Sequence, residues 1–100
     1  MIKHIVMFKL PARFVGEERT KTLVEIKQKL EDLPALIESI KFYRVGVNYA
    51  DSPAAFELVI DSDFENKEGL KFYSVHPEHQ KVVAFLRGLE AEKAVVDYEY

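Results

Sequence analysis

Four stretches of this chain alternate in polarity with a period of two, and the rest is arranged between them. Ile2 to Leu10, Ser39 to Val47, Phe56 to Phe64 and Lys93 to Tyr100 each sort their side chains onto two faces, as a β-strand does. Helical periodicity fills the gaps. Glu17 to Leu33 places Leu23, Ile26, Leu30 and Leu33 on one side, and Pro34 ends that helix by forcing the residue before it out of the α region. Asn66 is placed to cap a short helix through Ser74, with Leu70 and Tyr73 on its inner face. Gly69 weakens that helix by about 1 kcal/mol relative to alanine. Pro77 suits the first position of a third helix, which runs to about Arg87 with Gly88 as its C′ residue.

The order β-α-β-β-α(α)-β predicts an α+β, ferredoxin-like unit, a four-stranded antiparallel sheet with helices on one face. The chain shows no repeat, linker or low-complexity tract, and its 100 residues predict one domain, 1–100. Counting by twos, Ile2, His4, Val6, Phe8, Ile40, Phe42, Phe56, Leu58, Ile60, Val96 and Tyr98 form the face expected to meet the helices. The opposite set mixes Ile5, Met7, Tyr43, Val45, Val47, Val59 and Val95 with charged residues. The helices of so short a chain cover only one face, and a large apolar patch left over marks an interface. The expectation is a homodimer with these two sheet faces in contact and the charges at the rim.

Composition removes several classes. The net charge is -3 with both signs interspersed, so no basic stripe offers itself to nucleic acid. No apolar run approaches the ~20 residues that cross a bilayer, and the N-terminal residues enter a strand pattern directly, so a cytoplasmic domain without membrane contact is expected. The absence of cysteine excludes disulfides, thiolate zinc and a cysteine nucleophile.

Two of the three histidines lie in Ser74-Val75-His76-Pro77-Glu78-His79-Gln80. On the third helix His79, Val82, Val83 and Leu86 share one face, so the His79 imidazole points with apolar side chains toward the core. His4 sits on the inward face of the first strand, and His76 at the helix mouth, where it can bond free N–H groups. An imidazole has a pKa near working pH and suits a general base. Phe8, Phe42, Phe56, Val82 and Leu86 are the candidate lining of an apolar cavity beside it. Each residue also has a plain reading: a core histidine bonded to a carbonyl, or a Tyr73 that buries its ring and turns its hydroxyl to water. The helix face separates His76 from His79 and no third ligand stands nearby, so no metal is expected. Asp61 and Asp63 share a polar strand face and read as solvated rim groups.

The blocks Lys3-His4-Ile5-Val6-Met7-Phe8-Lys9, Leu33-Pro34, His76-Pro77-Glu78-His79 and Val95-Val96-Asp97-Tyr98 occur in an order that resembles the stress-responsive dimeric α/β barrel family nearly end to end. The resemblance implies a ferredoxin-like protomer and a barrel made by two facing sheets. A plant branch of that family is a polyketide cyclase that closes a poly-β-keto thioester by aldol condensation without a cofactor. Its catalytic histidine, tyrosine and supporting histidine fall on His79, Tyr73 and His4 here. A further pocket tyrosine of that branch falls at Ile26, which departs from the pattern. Some members hold a divalent ion on carbonyls that would be those of Leu30, Leu33 and Leu36. The expected function is a small dimeric stress-responsive protein that binds or processes a small apolar carbonyl compound. A cyclase-like lyase with His79 as base, and a non-catalytic stress or assembly protein, are the alternatives.

Overall fold

A computed structural model describes residues 1–100 as β1 (Ile2–Lys9), α1 (Gly16–Glu31), a 3-10 turn (Leu33–Ala35), β2 (Ile40–Val47), β3 (Leu58–Phe64), α2 (Lys67–Val75), α3 (Pro77–Gly88) and β4 (Glu92–Glu99). The strands lie in the order β2-β3-β1-β4, with every neighbouring pair antiparallel. This is the ferredoxin-like α+β arrangement, with the helices packed on one face of the sheet. No helix is long and apolar enough to cross a membrane.

The inner strands carry the core. Ile2, Val6 and Phe8 of β1 and Leu58, Ile60 and Phe64 of β3 are buried against Ile26 and Leu30 of α1, Leu33, Ile37 and the two later helices. Burying a side chain of this size contributes roughly 1.5–3 kcal/mol. Ser62 shares that face and is fully buried, and its hydroxyl donates to the His4 carbonyl at 2.8 Å. A buried hydroxyl without such a partner would destabilise the sheet where the histidine sits.

The edge strands depart from simple alternation. In β2, Ile40 pairs with Phe64 but Phe42 pairs with Asp63, so Lys41 is an extra residue, a β-bulge. A one-residue insertion reverses every later side chain. Tyr43, Val45 and Val47, expected on the uncovered face, therefore turn to the helix side, and Phe42 turns away from it. In β4 the pairing sets Val95 opposite Val6 and Asp97 opposite His4, both on the helix side. Val96 and Tyr98 lie opposite Ile5 and Lys3 on the uncovered face, the reverse of expectation. The more apolar half of β4 faces outward, and counting apolar residues chose the wrong half.

Two helix ends also differ. α1 stops at Glu31, and Pro34 lies inside the following 3-10 turn. α3 runs through Gly88 to a cap at Leu89, and the left-handed residue is Glu90 at φ 60°. At the start of α1, Gly16 takes φ 55°, where a side chain would be strained. The loop before it is fastened by Arg19. Its guanidinium donates to Glu57 through Nε at 2.6 Å and Nη2 at 2.8 Å, and to the carbonyls of Leu10 at 2.9 Å and Pro11 at 3.1 Å. The Leu10 N–H donates to the same carboxylate at 2.8 Å. Burial pushes the Glu57 carboxyl up, but Arg19 and the Leu10 N–H outweigh it and hold it below its ordinary value.

Candidate functional site

The break between α2 and α3 builds the site. His76 is extended, as a residue before proline tends to be, and it caps α3 by accepting the Glu78 N–H on Nδ1 at 3.1 Å. His76 is thus occupied at the helix entry. The chain reverses there, and His79 on the first turn of α3 comes against Tyr73 on the last turns of α2, with ring centroids 4.3 Å apart. The ring of His4 meets Tyr73 from the sheet side at 5.9 Å. The three residues singled out in the sequence are therefore neighbours, although 75 positions separate the first from the last.

One polar atom of each is held. The Ser74 carbonyl, near the end of α2, accepts from His79 Nδ1 at 3.0 Å. A carbonyl only accepts, so Nδ1 carries the proton and Nε2 is the nitrogen with a free lone pair. Burial pushes the His79 pKa down; the Ser74 carbonyl opposes this and does not prevail, so the ring stays neutral at neutral pH. His4 is pinned likewise: its Nδ1 donates to the Asp97 carboxylate, and its Nε2 has no protein partner. The Tyr73 hydroxyl does not reach water. It shares a hydrogen bond of 3.0 Å with the Tyr43 hydroxyl, and the residue is 1 % exposed. Burial raises the Tyr73 pKa to about 12, and burial together with Tyr73 raises that of Tyr43 further, so both remain protonated.

A cavity of about 320 Å³ opens beside these groups. His4, Tyr73, Ser74 and His79 line one end, Val6, Phe8, Ile60 and Val95 the sheet wall, and Val82, Val83 and Leu86 the helix wall. Phe8, Val82 and Leu86 are where the sequence placed them. Phe42 lies on the uncovered face, and Phe56 precedes β3 and borders a separate depression near Arg19 and Pro53. Neither lines this cavity. Of the three carbonyls at which some family members hold a divalent ion, that of Leu33 already accepts the N–H groups of Leu36 at 2.9 Å and Ile37 at 3.0 Å. No cluster of three or more His, Asp or Glu side chains is placed to ligate a metal.

Sequence reasoning missed Asp97 and Tyr43, the partners of His4 and Tyr73. Both sit on edge strands whose phase was inverted. A signal for Asp97 existed: the antiparallel pairing of the first and last strands sets Ile2 against Glu99, and two steps along sets His4 against Asp97.

On the uncovered face, Lys3 bridges Asp61 at 2.8 Å and Asp63 at 3.0 Å, and the Tyr100 hydroxyl donates to Asp63 at 2.6 Å. The Asp61 hydrogen bond, then that of Asp63, raises the Lys3 pKa, and the Tyr100 hydroxyl, with Lys3 behind it, lowers that of Asp63 despite partial burial. Beside this cluster Ile5, Met7, Val59, Ala94 and Val96 form a contiguous apolar block in register across β3, β1 and β4.

Comparison with known proteins agrees with this architecture. The sequence profile of the stress responsive A/B barrel domain matches residues 2–100. An uncharacterized protein of Streptomyces coelicolor is 34% identical over 100 residues, covering 100% of both chains. A dimeric, ferredoxin-like protein of unknown function from Bacteroides fragilis superposes with a TM-score of 0.85 at 36% identity, over 99% of this chain and 95% of that one. A hydroxynitrile lyase from Passiflora edulis has a TM-score of 0.77 over 97% of this chain and 90% of that one, and at 17% identity the likeness is one of fold alone.

Proposed function

The chain belongs to the stress-responsive A/B barrel domain family, and on that premise we propose that it is a homodimer whose cavity binds and processes a small, largely apolar carbonyl compound. The dimeric state of the Bacteroides fragilis relative supports the first half. The apolar block of Ile5, Met7, Val59, Ala94 and Val96, flanked by the paired Lys3–Asp61–Asp63 cluster, is the surface that a second copy would cover.

One observation carries the second half: two imidazoles held at Nδ1, and the buried Tyr73 hydrogen-bonded from behind by Tyr43, border one end of an apolar cavity. This arrangement suits proton abstraction next to a carbonyl. His79 Nε2 takes the proton from the carbon between two carbonyl groups, and the electron pair of the broken C–H bond moves onto a carbonyl oxygen. With Tyr43 donating to Tyr73, the Tyr73 proton is free to bond that developing enolate oxygen. If the enolate carbon then attacks a second carbonyl of the same molecule, a C–C bond forms, and the new alkoxide recovers the proton from the His79 imidazolium. His4, oriented by Asp97, packs its ring edge-on against Tyr73 and keeps that side chain in place. No step calls for a cofactor or a metal.

The test is thermal unfolding with nonane-2,4-dione, a β-diketone on an apolar chain, on the parent and on His79→Ala. At a hundredfold excess over its dissociation constant a specific ligand stabilises by about 2.7 kcal/mol, and the parent should melt several degrees higher while the variant barely moves. Equal responses of parent and variant remove His79 from the site.

A further inference from the structure

The end of the cavity away from the imidazoles carries a feature this reading does not use. Arg87 and Lys93 both border it. Neither forms an ion pair, which is also true of Lys9, Lys21, Lys29, Arg44 and Lys71, but only these two unpaired cations border this cavity. Their placement follows from two periodicities. On α3, His79, Val83 and Arg87 lie four residues apart on one stripe, so Arg87 stands about 12 Å from His79 along the helix axis. On β4, Asp97, Val95 and Lys93 alternate onto the helix side, and Lys93 stands about 13 Å from Asp97 along the strand. Both walls thus run from an imidazole end, past a valine, to a cation. The Lys93 charge is also felt inside the cavity: after burial and the neighbouring His4, it is among the influences that push a proton off His79.

We infer that the cavity takes an amphipathic acid, an apolar chain whose carboxylate sits between Arg87 and Lys93 at the mouth while its far end meets His4, Tyr73 and His79. This rests on the cavity being a ligand site, and it specifies the ligand class. The apolar wall of Val6, Phe8, Val83, Leu86 and Val95 holds the chain, and the unpaired cations select the charge and set the chain's direction.

Isothermal titration with octanoate and with octan-1-ol separates the two claims. The parent should bind octanoate roughly tenfold more tightly than the alcohol, as two solvent-exposed charge contacts allow. That advantage should shrink as salt is raised. The double variant Arg87→Gln/Lys93→Gln should bind both ligands equally, with the alcohol affinity unchanged, because both side chains are exposed and carry no fold contact. Equal binding of acid and alcohol by the parent overturns the charge inference and leaves the cavity reading standing. So does an advantage that survives in the double variant. Failure of the parent to bind either ligand overturns the cavity reading, and this inference with it.

Discussion

The two faces of the sheet treat polar side chains in opposite ways. On the covered face the polar groups at the imidazole end are pinned singly: Ser62 to the His4 carbonyl, His4 to Asp97, His79 to the Ser74 carbonyl, Tyr73 to Tyr43. The pins fix tautomers and leave lone pairs free beside a cavity. On the uncovered face the charges pair with one another in a single cluster around Lys3, and the apolar side chains next to it stay unbroken. The first treatment preserves reactivity inside a packed interior. The second removes it and leaves a surface suited to association. Polarity alone does not distinguish them; what each polar atom is bonded to does.

The comparison breaks most visibly in stability. Phe64 is fully buried on the covered face and Phe42 is 37 % exposed on the other. Phe64→Ala should lower the free energy of unfolding by about 3–5 kcal/mol, read as a fall in the urea midpoint at unchanged slope, and Phe42→Ala should shift it far less. Equal losses would mean that both faces are core. Association comes next. Val96 is 56 % exposed in the protomer and occurs twice in a symmetric pair. Val96→Asp should raise the dimer dissociation constant about a hundredfold, from two lost apolar contacts of roughly 1.5 kcal/mol each. Sedimentation equilibrium that finds the variant as dimeric as the parent would place the interface elsewhere.

The smallest effect is in pH. Burial lowers the pKa of His79 in the folded chain, below the ordinary 6.5 of the unfolded one. Between those two values the unfolded chain binds a proton that the folded chain refuses, so stability falls as pH drops below about 6.5 and is restored above it. His79→Gln should flatten this part of the profile. Glu57 and Asp63, whose pKa values are also lowered, act only in the more acidic carboxylate range, so their loss is separable. A parent and variant with parallel profiles from pH 8 to about 5 would show that the ring is not desolvated.

Element order, the antiparallel sheet and the inward facing of His4, Tyr73 and His79 were legible because the inner strands and the helices keep strict periods, and the family resemblance supplied the grouping of the three. Val6, Phe8, Leu58 and Ile60 lie on the face that alternation assigns them, held between neighbours on both sides. The edge strands were not legible. β2 breaks its period at Lys41, and a bulge has no residue-type signature that counting detects. β4 carries apolar residues on both faces, with Val95 inward and Val96 outward, so composition favours neither phase. Arg19 was likewise invisible: its partners at Leu10, Pro11 and Glu57 come from two different loops, and only their meeting in space explains the residue.

The bulge at Lys41 gears the two faces together. One surplus residue sends Phe42 outward and brings Tyr43 within reach of Tyr73 in the same stroke. Shortening the strand there by a single codon would strip the tyrosine hydroxyl of its neighbour and turn an aromatic ring inward, altering pocket and association surface at once. Length variation at this spot is therefore never silent on one side only, and descendants of such a chain would have to remodel both surfaces in concert or neither.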